Sequence, residues 1–413
     1  MNISDRFYKK NSFLKFPLES LKIRANKKNS VDEIVPSDHL LNFILNKSKK
    51  KLITFNTPNQ KKSSIFESSP RMRSIPQKYS NPAFSKILVN KEEQTIPLSG
   101  VSNDFYSHMV ASITQDVFAF GLFNQLILFS VMENSFFRPL SPSLHESLGV
   151  LTSITVNPLK SEELALGNSQ GKINLINLAK GSLIKTIYLH CLRVGSLKFH
   201  PHKSNLLASG SKDCSVLIHD LRTKNKKEIW FEHEGEICGL SWQSSGFCLA
   251  SGGNDNVIQI WDIRKNKEPV LKITEHTAAI RALEFSPMND DLLASGGGTG
   301  DSSIRISSLK NQGKNSVVLK TQSQICSLLW DQKCNRLLTS HGFSKYQLCL
   351  WNLEREKLVK EYYGHSNRIL DIVRIKESNH VLSFSSDNTA KIWNPFKAPI
   401  KSRNNLFTPI KLR

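Results

Sequence analysis

Along this chain of 413 residues a histidine, a serine followed by glycine, an aspartate and a tryptophan recur in that order. The fullest set is His233, Ser251, Asp255 and Trp261. Together they can form a buried hydrogen-bond relay that staples a turn to a strand, because buried polar groups need partners. On that basis the repeated His and Asp residues are structural and not catalytic. No nucleophile elbow, Walker loop, H-E-x-x-H helix or dinucleotide fingerprint supports an enzyme. The glycine-rich run at 296–300 falls in a strand turn and not between a strand and a helix. The seven cysteines all lie between Cys191 and Cys349 and include no C-x-x-C pair. Reduced, mostly buried thiols in an intracellular protein are expected, without a disulfide framework, zinc or any cofactor.

The elements that must position these residues are short strands. One strand type recurs as QLILFS, INLINL, VLIHDLR, IQIWDIR, IRISSL, LCLWNL and AKIWNP. Its Trp-equivalent positions are Phe129, Ile176, His219, Trp261, Ser307, Trp351 and Trp393, at steps of 47, 43, 42, 46, 44 and 42. LLASGSKD, CLASGGND, LLASGGGT and VLSFSSD precede four copies, and His190, His233, His276 and His365 enter the following strands. A period near 44 with His, Ser-Gly, Asp and Trp-Asp is the signature of WD repeats. Four short antiparallel strands cannot bury both faces alone, so such units stack radially. The fold class is therefore all-β, a seven-bladed WD-repeat propeller over 101–398, with a largely disordered basic region (1–100) before it and a short basic tail (399–413) after it.

The formal charge of +21 sits mostly at the ends. Residues 1–100 carry 19 basic and 8 acidic side chains, 101–400 carry 33 and 27, and 401–413 carry 4 and 0. Prolines at 17, 36, 58, 70, 76 and 82 interrupt any long helix in the first hundred residues. The start of the chain has no apolar stretch behind its charges, so no signal peptide is expected. Val117 to Val131 is too short and too polar to span a bilayer. No aromatic residues interleave the Lys runs, so nucleic acid is not an expected partner. A soluble protein of nucleus and cytoplasm is expected.

Several phrases are more particular than a propeller requires. They include RVGSLKFHP (193–201), EICGLSWQSSGFCLASGGNDN (236–256), LLASGGGTGDSSIRI (292–306), LLTSHGFSKYQLCLWNL (337–353) and GHSNRIL (364–370). Together they resemble the Fizzy and Fizzy-related proteins, WD-repeat coactivators of the anaphase-promoting complex, a ubiquitin ligase. LLNFILNK (40–47), LITF (52–55) and the ending NLFTPIKLR (405–413) resemble the Fizzy-related branch, and departures noted below suit a specialised, meiotic fungal member. The resemblance implies docking on subunits of the ligase by two Arg motifs and presentation of degrons from substrates such as cyclins or securin-like proteins. The first motif corresponds to Asp5-Arg6-Phe7, which lacks the family's following Ile-Pro and final Arg; the second to Leu412-Arg413, where the family ends Ile-Arg. A weakly docking adaptor or competitor is the second reading.

The resemblance further implies a receptor for Lys-Glu-Asn degrons built from Asn254, Asn256, Thr299, Gln324 and Arg368, with Arg368 facing the degron's Glu. The family's receptor for Arg-x-x-Leu degrons has acids where this chain has Ala111 and Asn388, so a bias toward Lys-Glu-Asn degrons is expected. Thr57, Ser69 and Thr408 each precede proline and are candidate phosphorylation sites; a phosphate at Thr408 would oppose docking through Arg413.

Overall fold

The computed structural model describes residues 94–223, 227–265 and 268–396. These form seven four-stranded antiparallel sheets, the blades of a propeller. Their innermost strands are Val110–Ser112, Leu151–Asn157, Val194–Phe199, Ile237–Trp242, Ile280–Phe285, Ile325–Trp330 and Ile369–Arg374, in blades 1 to 7. Each innermost strand contacts those of both neighbouring blades, and the seventh contacts the first, so the ring is closed. Val117–Val131 lies in blade 1, within the hairpin of strands Val117–Leu122 and Gln125–Ser130. One helix, Pro142–Leu148, joins blades 1 and 2, its first turn capped by the Ser141 hydroxyl accepting from the Leu144 amide.

Closure uses a strand that the repeat pattern does not contain. Gln94–Pro97 pairs antiparallel with Thr389–Trp393 and becomes the outer strand of blade 7. It lies ahead of the boundary expected at residue 101, because four residues outside any repeat carry no period. Ile96 on this strand is fully buried in the cluster that joins blades 7, 1 and 2.

The recurring Ser-Gly has two separate reasons. In blade 4 the Trp261 Nε1–H donates to Ser251 Oγ at 2.8 Å, Ser251 Oγ meets His233 Nε2 at 2.7 Å, and His233 Nδ1 meets Asp255 at 2.8 Å. Because the Asp255 carboxylate only accepts, the His233 Nδ1–H donates to it, and the relay runs from the indole through the hydroxyl and the imidazole to the carboxylate. Blade 7 repeats the relay through Trp393, Ser383, His365 and Asp387. Blade 3 has His219 in place of Trp, and blade 5 joins His276 to Ser295 and Asp301 without a ring. The glycine is a clearance: a Cβ on Gly252 would lie 2.5 Å from the Ile280 carbonyl oxygen of the next blade. Between blades 3 and 4 the rings of Trp230 and Trp261 stack at 4.6 Å, packed with Val216, Ile237 and Leu249.

Blade 6 builds its relay differently. Trp351 donates to Thr339 Oγ1 at 3.0 Å, and Thr339 meets His341, which comes from the same strand and not from the preceding turn. Ser323 lies at 3.2 Å from the other nitrogen of His341. Burial pushes the His341 pKa down to about 4. In blade 3, burial would raise the Asp213 carboxyl, yet the His190 hydrogen bond and charge, with Ser215 and the Cys191 amide, hold it down at about 2.

Two outcomes follow for stability. Ile96→Ala is expected to cost about 2–5 kcal/mol, as an interior core position would, read as a lower denaturation midpoint in urea. An unfolded imidazole titrates near ~6.5, so between there and about 4 the unfolded chain binds a proton that folded His341 does not. Stability therefore falls as pH drops through that window. The Asp213 contribution is complete above the unfolded carboxyl's ~3.9 and is lost as pH falls toward about 2. Urea titrations across pH should show His341→Gln reducing the slope in the upper window, which buried His108 and His276 share, while leaving the acid limb in place.

Candidate functional site

Having completed blade 7 at Pro97, the chain must reach the innermost strand of blade 1. Residues 98–109 make that crossing. Leu98 N donates to the Asn388 carbonyl at 2.8 Å and Val101 N to its Oδ1 at 3.0 Å. Further on, Asp104 meets Arg193 of the turn before blade 3 at 2.8 Å. The Tyr106 hydroxyl donates to Asn254 Oδ1 in blade 4 at 3.1 Å. The Ser107 carbonyl accepts from Arg281 of blade 5, and His108 Nδ1 lies 3.0 Å from Asp371 of blade 7. This strap is thus pinned to blades 3, 4, 5 and 7, and the His108 amide also donates to Thr152 O of blade 2.

Arg281 and Asp371 are nearly inaccessible and form an ion pair at 3.4 Å. Asp371 also accepts from Ser327 Oγ at 2.7 Å. Burial would raise its carboxyl, but Arg281 and His108 drive it far below the usual carboxylate range. A buried charge is tolerated only when paired and hydrogen-bonded, and this cluster fixes the strap from beneath.

Beside the strap lies a cavity of about 430 Å³ lined by Phe105, Tyr106, Asn254, Asn256, Thr299, Gln324 and Arg368, with small residues such as Ala278 and Gly298 among them. All five residues expected to form a degron receptor line this one pocket. Asn254 and Asn256 stand in the hairpin turn of blade 4, between strands Cys248–Gly253 and Ile258–Asp262. Thr299 is in the matching turn of blade 5, and Gln324 and Arg368 immediately precede the innermost strands of blades 6 and 7. The sequence signal missed Phe105 and Tyr106, the wall supplied by the strap; their place beside the axis follows from ring closure, which no repeat encodes.

The polar groups are oriented. Thr299 Oγ1 donates to Gln324 Oε1 at 2.6 Å. Burial, the largest effect on Tyr106, raises its phenol pKa, so it stays an O–H donor toward Asn254. Asn256 adopts φ 65°, and its counterparts after the other relay aspartates are also left-handed, Cys214 at 64°, Ser302 at 48° and Asn388 at 61°. Asn is well suited to that left-handed turn, and here its side chain also faces the cavity. Arg368 lies over the Phe105 ring at 5.9 Å, with its Nε buried and without a hydrogen-bond partner. No carboxylate lines the pocket. It offers a cation, amides and a hydroxyl to an extended polar ligand.

Ala111 is buried in the innermost strand of blade 1, opposite Ala119. Asn388 uses its amide oxygen and its carbonyl to hold the incoming chain. Asp5, Arg6, Phe7, Leu412, Arg413, Thr57, Ser69 and Thr408 lie outside the described residues. Among the described residues no cluster of His, Cys, Asp and Glu could hold a metal ion, and no helix is long and apolar enough to cross a membrane.

The CDC20/Fizzy WD40 domain matches residues 97–393. "Cell division cycle 20.5, cofactor of APC complex" of Arabidopsis thaliana is 30% identical, over 96% of this chain and 89% of its own length. "Meiotic fizzy-related protein 1" of Schizosaccharomyces pombe is 32% identical, over 87% of this chain and 83% of its own. "Protein FIZZY-RELATED 1" of Arabidopsis thaliana is 34% identical, over 72% of this chain and 61% of its own. A chain in the crystal structure of a mitotic checkpoint complex superposes with a TM-score of 0.67 at 25% identity, over 81% of this chain and 98% of that one. With the repeats, the closed ring and the matched span in agreement, the chain belongs to the CDC20/Fizzy family, with Fizzy-related proteins among its relatives, and is a regulatory adaptor and not an enzyme.

Proposed function

We propose that this protein is a substrate-recognition coactivator of the anaphase-promoting complex. It docks on the ligase through Asp5-Arg6-Phe7 and Leu412-Arg413 and presents Lys-Glu-Asn degrons in the axial pocket, promoting ubiquitination of cell-cycle regulators such as cyclins or securin-like proteins. The observation that carries the proposal is convergence. Five side chains separated by up to 114 residues (254 to 368) meet at one cavity that contains an Arg and no acid. Arg368 suits the degron's Glu because its buried Nε lacks a partner and its planar fork makes charge-assisted bonds to carboxylate. Asn254 and Asn256 suit the backbone and terminal amide of an extended peptide, since amides both donate and accept.

Selectivity against Arg-x-x-Leu degrons is part of the proposal. A buried Ala111 offers no negative partner to an incoming Arg, and Asn388 is neutral and engaged with Leu98 and Val101. The second reading, a weakly docking adaptor or competitor, is favoured by one observation: Tyr8-Lys9-Lys10-Asn11 replaces the Ile-Pro and terminal Arg of the family's first docking box.

Two measurements check these proposals. Arg368→Ala is expected to weaken a Lys-Glu-Asn peptide by about tenfold or more, the worth of a hydrogen bond to a charged group, with thermal stability unchanged; an unaltered affinity contradicts the pocket. In reconstituted ubiquitination with a substrate whose sole degron is Lys-Glu-Asn, the chain should support ubiquitin chains, and deleting Leu412-Arg413 should abolish them. Retained substrate binding without ubiquitin chains selects the adaptor or competitor.

A further inference from the structure

We propose that Arg193, which does not line the pocket, is the positioning residue that sets the polarity of Asn254. The proposal rests on the assignment of the pocket to a degron carrying a carboxylate. Arg193 enters blade 3 beside the strap and makes a fork with Glu236, Nε at 2.5 Å and Nη2 at 2.9 Å, while Nη1 reaches Asp104 at 2.8 Å. Its guanidinium also lies over the Tyr106 ring, 5.1 Å from the centroid. The ring is thereby clamped, and its hydroxyl donates to Asn254 Oδ1.

Two consequences follow from this chain of contacts. The Asn254 side-chain oxygen accepts from Tyr106 on one of its two lone pairs, which orients the amide and leaves its N–H groups to a ligand carbonyl or carboxylate. Secondly, Asp104 and Glu236 are both ion-paired to this one guanidinium, which offsets one of their two negative charges. Lysine would keep the charge but could not hold two carboxylates and the ring with one planar group. Arg193 therefore acts on the ligand through Tyr106 and Asn254, without touching it.

The test is a double-mutant cycle on the full chain, with affinity for a Lys-Glu-Asn peptide as the readout. Arg193→Lys is expected to weaken binding about five- to tenfold when Asn254 is present and by less than about twofold in an Asn254→Ala background. Tyr106→Phe keeps the ring under Arg193 and should reproduce the same pattern, which guards against a folding defect in the Arg193 variant. Equal losses in both backgrounds, or no loss in either, overturn the proposal while leaving the pocket assignment intact. Failure of the unsubstituted chain to bind the peptide overturns both.

Discussion

Everything near the axis depends on how the ring is closed. Four residues, Gln94–Pro97, form the outer strand of the last blade, so the two ends of the repeat array are joined by a backbone ladder and not by a covalent link. A chain that starts on the outer edge of blade 7 has to travel inward to begin blade 1. That path carries Phe105 and Tyr106 to the turns of blades 4 to 7, where they become one wall of the pocket. A device that ends the sheet edges of a propeller therefore also supplies one wall of that pocket.

The strap could not hold its position by apolar packing alone, since it crosses polar turns. It is fixed instead by buried charge. Arg281 projects from a register shift in the innermost strand of blade 5 and ties Ser107 and Cys326 carbonyls to the Asp371 carboxylate. His108 bridges Asp371 and the Cys238 carbonyl, at 3.0 and 2.8 Å. Removing one member would leave others buried and unpaired, a far larger loss than the net worth of any single contact. The anchor of the strap is accordingly one connected network drawn from blades 4, 5, 6 and 7.

The repeat architecture was legible because blades 3, 4, 5 and 7 join a His, a Ser and an Asp in the same way. Ser251 serves the relay, Gly252 clears the neighbouring blade, and Ser209-Gly210 and Ser295-Gly296 repeat both roles in blades 3 and 5. The pocket residues Asn254, Asn256, Thr299, Gln324 and Arg368 were legible only through family phrases, since Asn-Asp-Asn is by itself an ordinary turn. Three features were hidden for physical reasons. Gln94–Pro97 and the strap have no period. In blade 6 His341 completes the relay from a strand position that in other blades belongs to no relay, so its function could not be inferred by analogy. Arg193 acts at one remove, through contacts between blades 3 and 4 and the strap that only the folded ring brings together.

The central claim is that an extended degron lies between the strap and the turns of blades 4 to 7. Amide hydrogen exchange on the full chain, with and without saturating Lys-Glu-Asn peptide, tests it most directly. Added protection is predicted at 104–108, 254–256, 298–300 and 366–368, with the outer strands of blades 1 to 3 unchanged. Protection confined to other segments, or none at saturation, would contradict it.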